Sequence, residues 1–164
     1  MVALISKARV VQASVGEVTA HGLRPHAFRH EKPKGTESAN LDWARRTVSY
    51  RDRVEPLAAG TQDPVSMYFQ IALHAGARGA LALPIATGTK VETYAFAAPV
   101  AEPLNTAQGA VPALRYQTRN GDDDIEIWYA ANGGLLPLRI RIANRKKGEV
   151  YDQRLVESGP GGKP

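Results

Sequence analysis

The chain contains no cysteine. Disulfides, zinc–thiolate sites, iron–sulfur clusters and cysteine nucleophiles are therefore excluded. Long apolar runs are missing too, since nothing approaches the roughly 18 apolar residues that a membrane-spanning helix requires. The run Val2–Ile5 is too short for a secretion signal, and Lys7 and Arg9 keep it from extending further. Dense charge of one sign is also lacking. The net charge of +5 comes from 21 Lys+Arg against 16 Asp+Glu, spread along the chain rather than gathered in a stripe of the kind that binds nucleic acid. Most of the cations are arginine, and alanine is abundant, a composition common where the genome is GC-rich.

Punctuation, by contrast, is plentiful. Fifteen glycines and 11 prolines in 164 residues are too many for a helix bundle and suit short strands joined by turns. Strand-like segments are read over Val2–Ala20 with a bend near Gly16, and over His26–His30, Ser38–Trp43 and Arg46–Val54. In the second half they cover Ala80–Ile85, Val91–Ala98, Val111–Thr118, Ile125–Ala131, Leu138–Ala143 and Val150–Val156. Turn signals separate them at Thr87-Gly88, Asn120-Gly121, Asn132-Gly133-Gly134 and Asn144–Gly148. Connections this short force antiparallel neighbours. Leu138, Ile140 and Ile142 alternate with Arg139 and Arg141, which predicts a strand with one buried and one wet face, and Trp128 is expected to be buried.

One segment breaks the pattern. Asp63-Pro64 combines an N-cap acceptor with a residue that has no donor to lose, and VSMYFQIALHAG comes directly after it. This predicts a single helix over about 63–76, apolar round most of its circumference and therefore buried. The fold expected is mainly β: one long curved antiparallel sheet, an incomplete barrel, with that helix on its concave face. Residues 1–157 read as one domain and 158–164 as a disordered tail.

Catalytic and metal motifs are weak. His21, His26 and His30 lie within ten residues, but Pro25 interrupts the strand and no carboxylate completes a ligand set. Asp122-Asp123-Asp124 reads as a solvated hairpin turn, because Glu126 is too close in register to complete a calcium loop. Arg145-Lys146-Lys147 reads as a solubilising hairpin tip, and no serine has a nucleophile-elbow context. The expectation is a protein that is not an enzyme and uses no metal or cofactor. Aromatic residues recur on the helix and on successive strands. If the sheet curls over the helix, Met67, Tyr68, Ile71, Tyr94, Phe96, Tyr116 and Trp128 are the candidates to line an apolar slot.

The order of several motifs carries a resemblance. Gly22-Leu23-Arg24-Pro25 with Phe28, Leu41-Asp42-Trp43, and QDPVSMYFQIAL at Gln62–Leu73 come first. Tyr94-Ala95-Phe96, Glu102-Pro103-Leu104 with Thr106 and Gly109, Ile127-Trp128 and Leu136-Pro137-Leu138-Arg139-Ile140 come after them. Over about Gly16 to Glu157 the chain resembles the bacterial family called domain of unknown function 3108. The resemblance implies an exported protein of Gram-negative bacteria, hence the periplasm. Members have a leader and further strand sequence ahead of this starting point, so the chain is expected to be N-terminally truncated. The family supplies no catalytic residues. Its sheet-plus-helix organisation is similar to lipoprotein-carrier folds that cradle acyl chains.

The expected function is a non-enzymatic envelope protein that binds an apolar or lipid ligand, a lipoprotein or an envelope protein through its curved sheet. The alternatives are an assembly module of the envelope with no ligand and a cytosolic basic nucleic-acid-binding module, although no nucleic acid is expected.

Overall fold

The computed structural model describes residues 2–5, 10–74, 79–107 and 109–155. The chain is mainly β, with antiparallel sheets, none closed into a barrel, and one helix among the described residues. It divides into two compact units, one of Met1–Ala75 with Leu81–Ala95 and one of Gly76–Ala80 with Phe96–Pro164. The expected tail at 158–164 lies outside the described residues.

The first unit is built on a six-stranded meander. Its strands are β1 (Val2–Ile5), β2 (Val11–Thr19), β3 (Gly22–Lys32), β4 (Gly35–Asp42), β5 (Thr47–Ser49) and β6 (Val54–Pro56), paired in chain order. β3 runs straight through Pro25, contrary to the break read from the sequence. A register shift makes this possible: Val15 faces Ala27 while Gly16 faces Pro25, so His26 is the extra residue of a β-bulge. Only glycine fits opposite it, because a Cβ on Gly16 would lie 2.5 Å from the Arg24 carbonyl oxygen. The stretch Arg46–Val54 is likewise two strands rather than one, β5 and β6, turning at Tyr50–Arg53.

Helix α1 (Ser66–His74) packs against β3. It begins three residues after Asp63, which caps it: Asp63 Oδ1 accepts from the backbone N–H of Val65 at 2.8 Å and of Ser66 at 2.9 Å. Ser66 reaches back to accept the Asp63 N–H at 2.9 Å, so the two ends of the cap satisfy each other's free donors. The expected last residues of the helix, Ala75 and Gly76, lie outside the described residues. A hairpin of β7 (Leu81–Ala86) and β8 (Val91–Phe96) adds a two-stranded sheet. The unit's core joins Phe28, Ala39, Leu41, Val48, Leu57, Val65 and Ala86, with Trp43, Tyr50, Phe69 and Val91 packed around them.

The second unit is a five-stranded sheet in the order β13-β12-β11-β10-β9. The strands are β9 (Val100–Thr106), β10 (Gly109–Asn120), β11 (Asp123–Ala130), β12 (Arg139–Asn144) and β13 (Glu149–Arg154). β9 escapes a reading of the sequence because Pro103 interrupts it. As an edge strand it tolerates that residue, which sits directly opposite Pro112. Alternation sorts β10–β12 into two faces. Leu114, Tyr116, Ile125, Ile127, Tyr129 and Ile140 are buried on one, where the Tyr116 and Tyr129 rings meet edge to face at 5.9 Å.

Candidate functional site

In an antiparallel meander every second turn falls at the same end of the sheet. The β2–β3 turn, the β4–β5 turn and the loop from β6 to α1 meet at such an end, and they enclose a cleft of about 630 Å³. Leu23, Trp43, Leu57 and Ala59 supply its apolar lining, Arg24 and Arg46 its cationic lining, and His21 a further basic side chain.

Each wall is fixed by identifiable bonds. Leu23 is clamped through its backbone by two glutamines that flank the helix start. Its N–H donates to Gln70 Oε1 at 2.7 Å, and its carbonyl accepts from Gln62 Nε2 at 2.9 Å. Gln62 also donates to the Gly60 carbonyl at 3.2 Å. Its own backbone bridges to β7, with its N–H on the Pro84 carbonyl and its carbonyl accepting from Ala86. Gln62 and Gln70 are both buried polar residues, and the clamp accounts for their place in a helix start that also needs Asp63 and Ser66. The Trp43 indole N–H donates to the Pro25 carbonyl at 2.7 Å, which fixes the ring, and the Arg24 guanidinium lies 5.1 Å from the ring centroid. Arg46 has a φ of 55°, unusual for a residue with a Cβ, and its carbonyl accepts the Leu57 N–H at 2.9 Å.

The charge inside the cleft is one-sided. Its ionisable lining residues are all bases. The nearby acids are engaged: Glu17 meets Arg24 at 3.3 Å, and Asp42 holds the Arg45 N–H at 2.9 Å and its guanidinium at 3.3 Å. The Arg45 backbone N–H is the main reason the Asp42 carboxyl sits below its ordinary pKa.

None of the seven slot candidates lines this cleft. Met67, Tyr68 and Ile71 are buried in the first unit and Tyr94 is half-buried on β8. Burial pushes the Tyr68 hydroxyl pKa up, with Tyr94 as a second cause. Phe96, Tyr116 and Trp128 are buried residues of the second unit. There the structure separates Tyr116 from Trp128, because adjacent register positions put them on opposite faces of the sheet.

Trp128 lies on the opposite face, packed with Leu104 and Ala113 beside a row of charged side chains. Its indole N–H donates to Glu102 at 2.7 Å, and the Arg139 guanidinium covers its ring at 4.8 Å. Glu102, Arg115, Glu126 and Arg141 continue as a ladder of ion pairs at 3.1, 3.3 and 2.8 Å. Arg139 binds both oxygens of Asp152, at 2.8 and 2.7 Å. The expectation of exposed Arg139 and Arg141 is therefore corrected. Their side chains are 20% and 35% exposed, because each lies over the sheet against a carboxylate. The histidines are dispersed: His26 lies 3.7 Å from Glu17 and His30 3.9 Å from Glu37. Among the described residues no group of three or more His, Asp or Glu is placed to hold a metal, and no helix is long and apolar enough to cross a membrane.

Residues 1–153 match the model of a family described as "Protein of unknown function (DUF3108)". The chain belongs to this family. No curated protein and no solved structure matches it. Within this DUF3108 chain, the residues that make the cleft come from turns up to 41 positions apart, Thr19 to Gly60. Their only local signal is the order Gly-Leu-Arg-Pro, Asp-Trp and Gln-Asp-Pro.

Proposed function

We propose that this protein is a non-enzymatic binding protein of the bacterial envelope and that it takes an apolar or lipid ligand at the Trp43 cleft. The observation that carries this reading is the cleft itself: about 630 Å³ of open space with a fixed indole, Leu23 and Leu57 on its lining. Ligand sites are concave and combine an apolar lining with a small number of placed polar groups. The periplasmic assignment rests on the family's character. The paired arginines of the second unit argue against a nucleic-acid role, since Arg115, Arg119, Arg139, Arg141, Arg145 and Arg154 each face a carboxylate.

The test is a titration with the neutral dye Nile red. Saturable enhancement is expected, and Ala59→Trp should abolish it by filling the cleft without lowering the unfolding temperature, because Ala59 is exposed. Enhancement that survives Ala59→Trp would overturn the assignment to this cleft. A second reading, an assembly module with no ligand, is favoured by β13. All six residues of this sheet-edge strand are exposed, Val150 and Tyr151 by more than half. It predicts no saturable dye binding.

A further inference from the structure

We infer that the ligand of the Trp43 cleft carries a single anionic head, a carboxylate or a phosphate ester, which Arg46 and Arg24 bind. This deepens the apolar-ligand reading above and rests on it.

Charge complementarity supports an anion. The cleft is lined by His21, Arg24 and Arg46 and by no acid. Arg24 is ion-paired with Glu17 at 3.3 Å and lies over the Trp43 ring. Arg46 has no ion pair among the described residues, because the neighbouring Asp42 is taken by Arg45. A cation beside an apolar lining suits an amphiphile whose chain lies along Leu23, Trp43 and Leu57. Guanidinium groups bind carboxylate and phosphate with paired donors.

Backbone conformation singles out Arg46 independently. At φ 55° glycine or asparagine is the relaxed choice, yet arginine stands there. The Leu57 N–H on its carbonyl holds that conformation at the cleft wall. A strained arginine beside a ligand-sized opening points to use of its side chain. The two effects of removing it should therefore have opposite signs: Arg46→Gly relaxes the backbone and deletes the anion contact.

The experiment displaces Nile red from the whole chain with decanoate, decyl phosphate, decanol and decyltrimethylammonium, and with inorganic phosphate alone. Decanoate and decyl phosphate should compete about tenfold better than decanol, the size of one charge-assisted hydrogen bond. Decyltrimethylammonium should compete worst and inorganic phosphate not at all. Arg46→Gly should weaken both anionic amphiphiles about tenfold, leave decanol unchanged and raise the unfolding temperature, while Arg46→Lys, which keeps the charge but loses the paired donors, should retain only part of the preference. If decanol competes as well as decanoate and Arg46→Gly changes neither, the anionic head is overturned and the apolar cleft stands. Inorganic phosphate matching decyl phosphate would overturn the amphiphile in favour of a free-anion site. Absence of dye binding in the parent protein would overturn both readings.

Discussion

Ser14 on β2 donates its hydroxyl to Asp63 Oδ2 at 2.5 Å, a bond that spans 49 residues and ties the second strand to the start of the only described helix. The Asp63 carboxylate is fully buried, and both of its oxygens are engaged: Oδ1 takes two backbone N–H groups and Oδ2 takes Ser14. Asp63→Ala should cost about 1–2 kcal/mol as a lost cap. Ser14→Ala should cost about 1.5–3 kcal/mol, since it takes a donor from a buried charge. Urea unfolding measures both. Equal stability of Ser14→Ala and the parent would show that the long-range bond does not form.

The same carboxyl predicts a pH effect. Burial raises the Asp63 pKa above its ordinary 3.8, against the opposing bonds from Ser14, Ser66 and Val65. A raised folded-state pKa means the folded protein holds the proton more tightly than the unfolded chain. This group's contribution is therefore greatest at low pH and shrinks as pH rises from 3.8 through the raised value. Asp63→Asn keeps the Oδ1 acceptor and removes the titration. The parent should gain stability relative to Asp63→Asn as pH falls from neutrality through the raised pKa, read as the difference between two urea midpoints. A difference that stays constant with pH would contradict the raised pKa.

The glutamine clamp couples fold to cleft. Gln70→Leu strands the Leu23 N–H, and Gln62→Leu strands the carbonyls of Leu23 and Gly60. Each change should cost about 1–3 kcal/mol for the unmet polar groups and should weaken Nile red binding by loosening Leu23. Gly22→Ala should act in the same direction. Its φ is 112°, and an added Cβ would lie 2.5 Å from Gln70 Oε1. Unchanged dye affinity in all three variants would uncouple the clamp from the cleft.

Local chemistry made the helix start legible, because Asp63, Pro64 and Ser66 act within one turn. The β12 alternation was legible for the same reason. Elsewhere the deciding partner is distant in sequence. Pro25 reads as a breaker until Gly16 opposite it is known to accept a bulge, and Pro103 reads as a loop until β9 is known to be an edge. Arg139 reads as a wet-face residue, but Trp128 and Asp152, on the two neighbouring strands, draw it down onto the sheet. The slot candidates were recognisable as buried aromatics. That an opening forms around Trp43 instead depends on three turns meeting at one end of a meander, which no single window of sequence contains.

The bulge yields its own prediction. Gly16→Ala should destabilise by more than about 1 kcal/mol, because the new Cβ meets backbone rather than a movable side chain. Deleting His26, the extra residue, should be better tolerated in combination with Pro25→Val, since a regular β3 then no longer needs the shift. Thermal unfolding of the three variants checks this. Tolerance of Gly16→Ala alone would mean that β2 and β3 do not approach so closely.

The Trp128–Glu102 pair separates an acceptor from a charge. The indole N–H bond is the leading cause that holds the Glu102 carboxyl below its ordinary pKa, with burial opposing it and Arg115 assisting. Glu102→Gln keeps an oxygen for the indole and loses only the ion pair with Arg115. With Glu102 about a third exposed, that pair should be worth no more than about 1 kcal/mol. Glu102→Leu also leaves the Trp128 N–H unmet on a ring only 5% exposed, and should cost about 1–3 kcal/mol more. The sign with pH is opposite to that of Asp63. A depressed carboxyl contributes fully above the ordinary glutamate value of 4.5, and the contribution is lost as pH falls through the lowered pKa. The Trp128 indole N–H resonance should report this directly, shifting with a midpoint below 4.5 in the parent and not titrating in Glu102→Gln. A midpoint at or above 4.5 would mean that Glu102 does not accept the indole bond, and equal stability of the Gln and Leu variants would support the same conclusion.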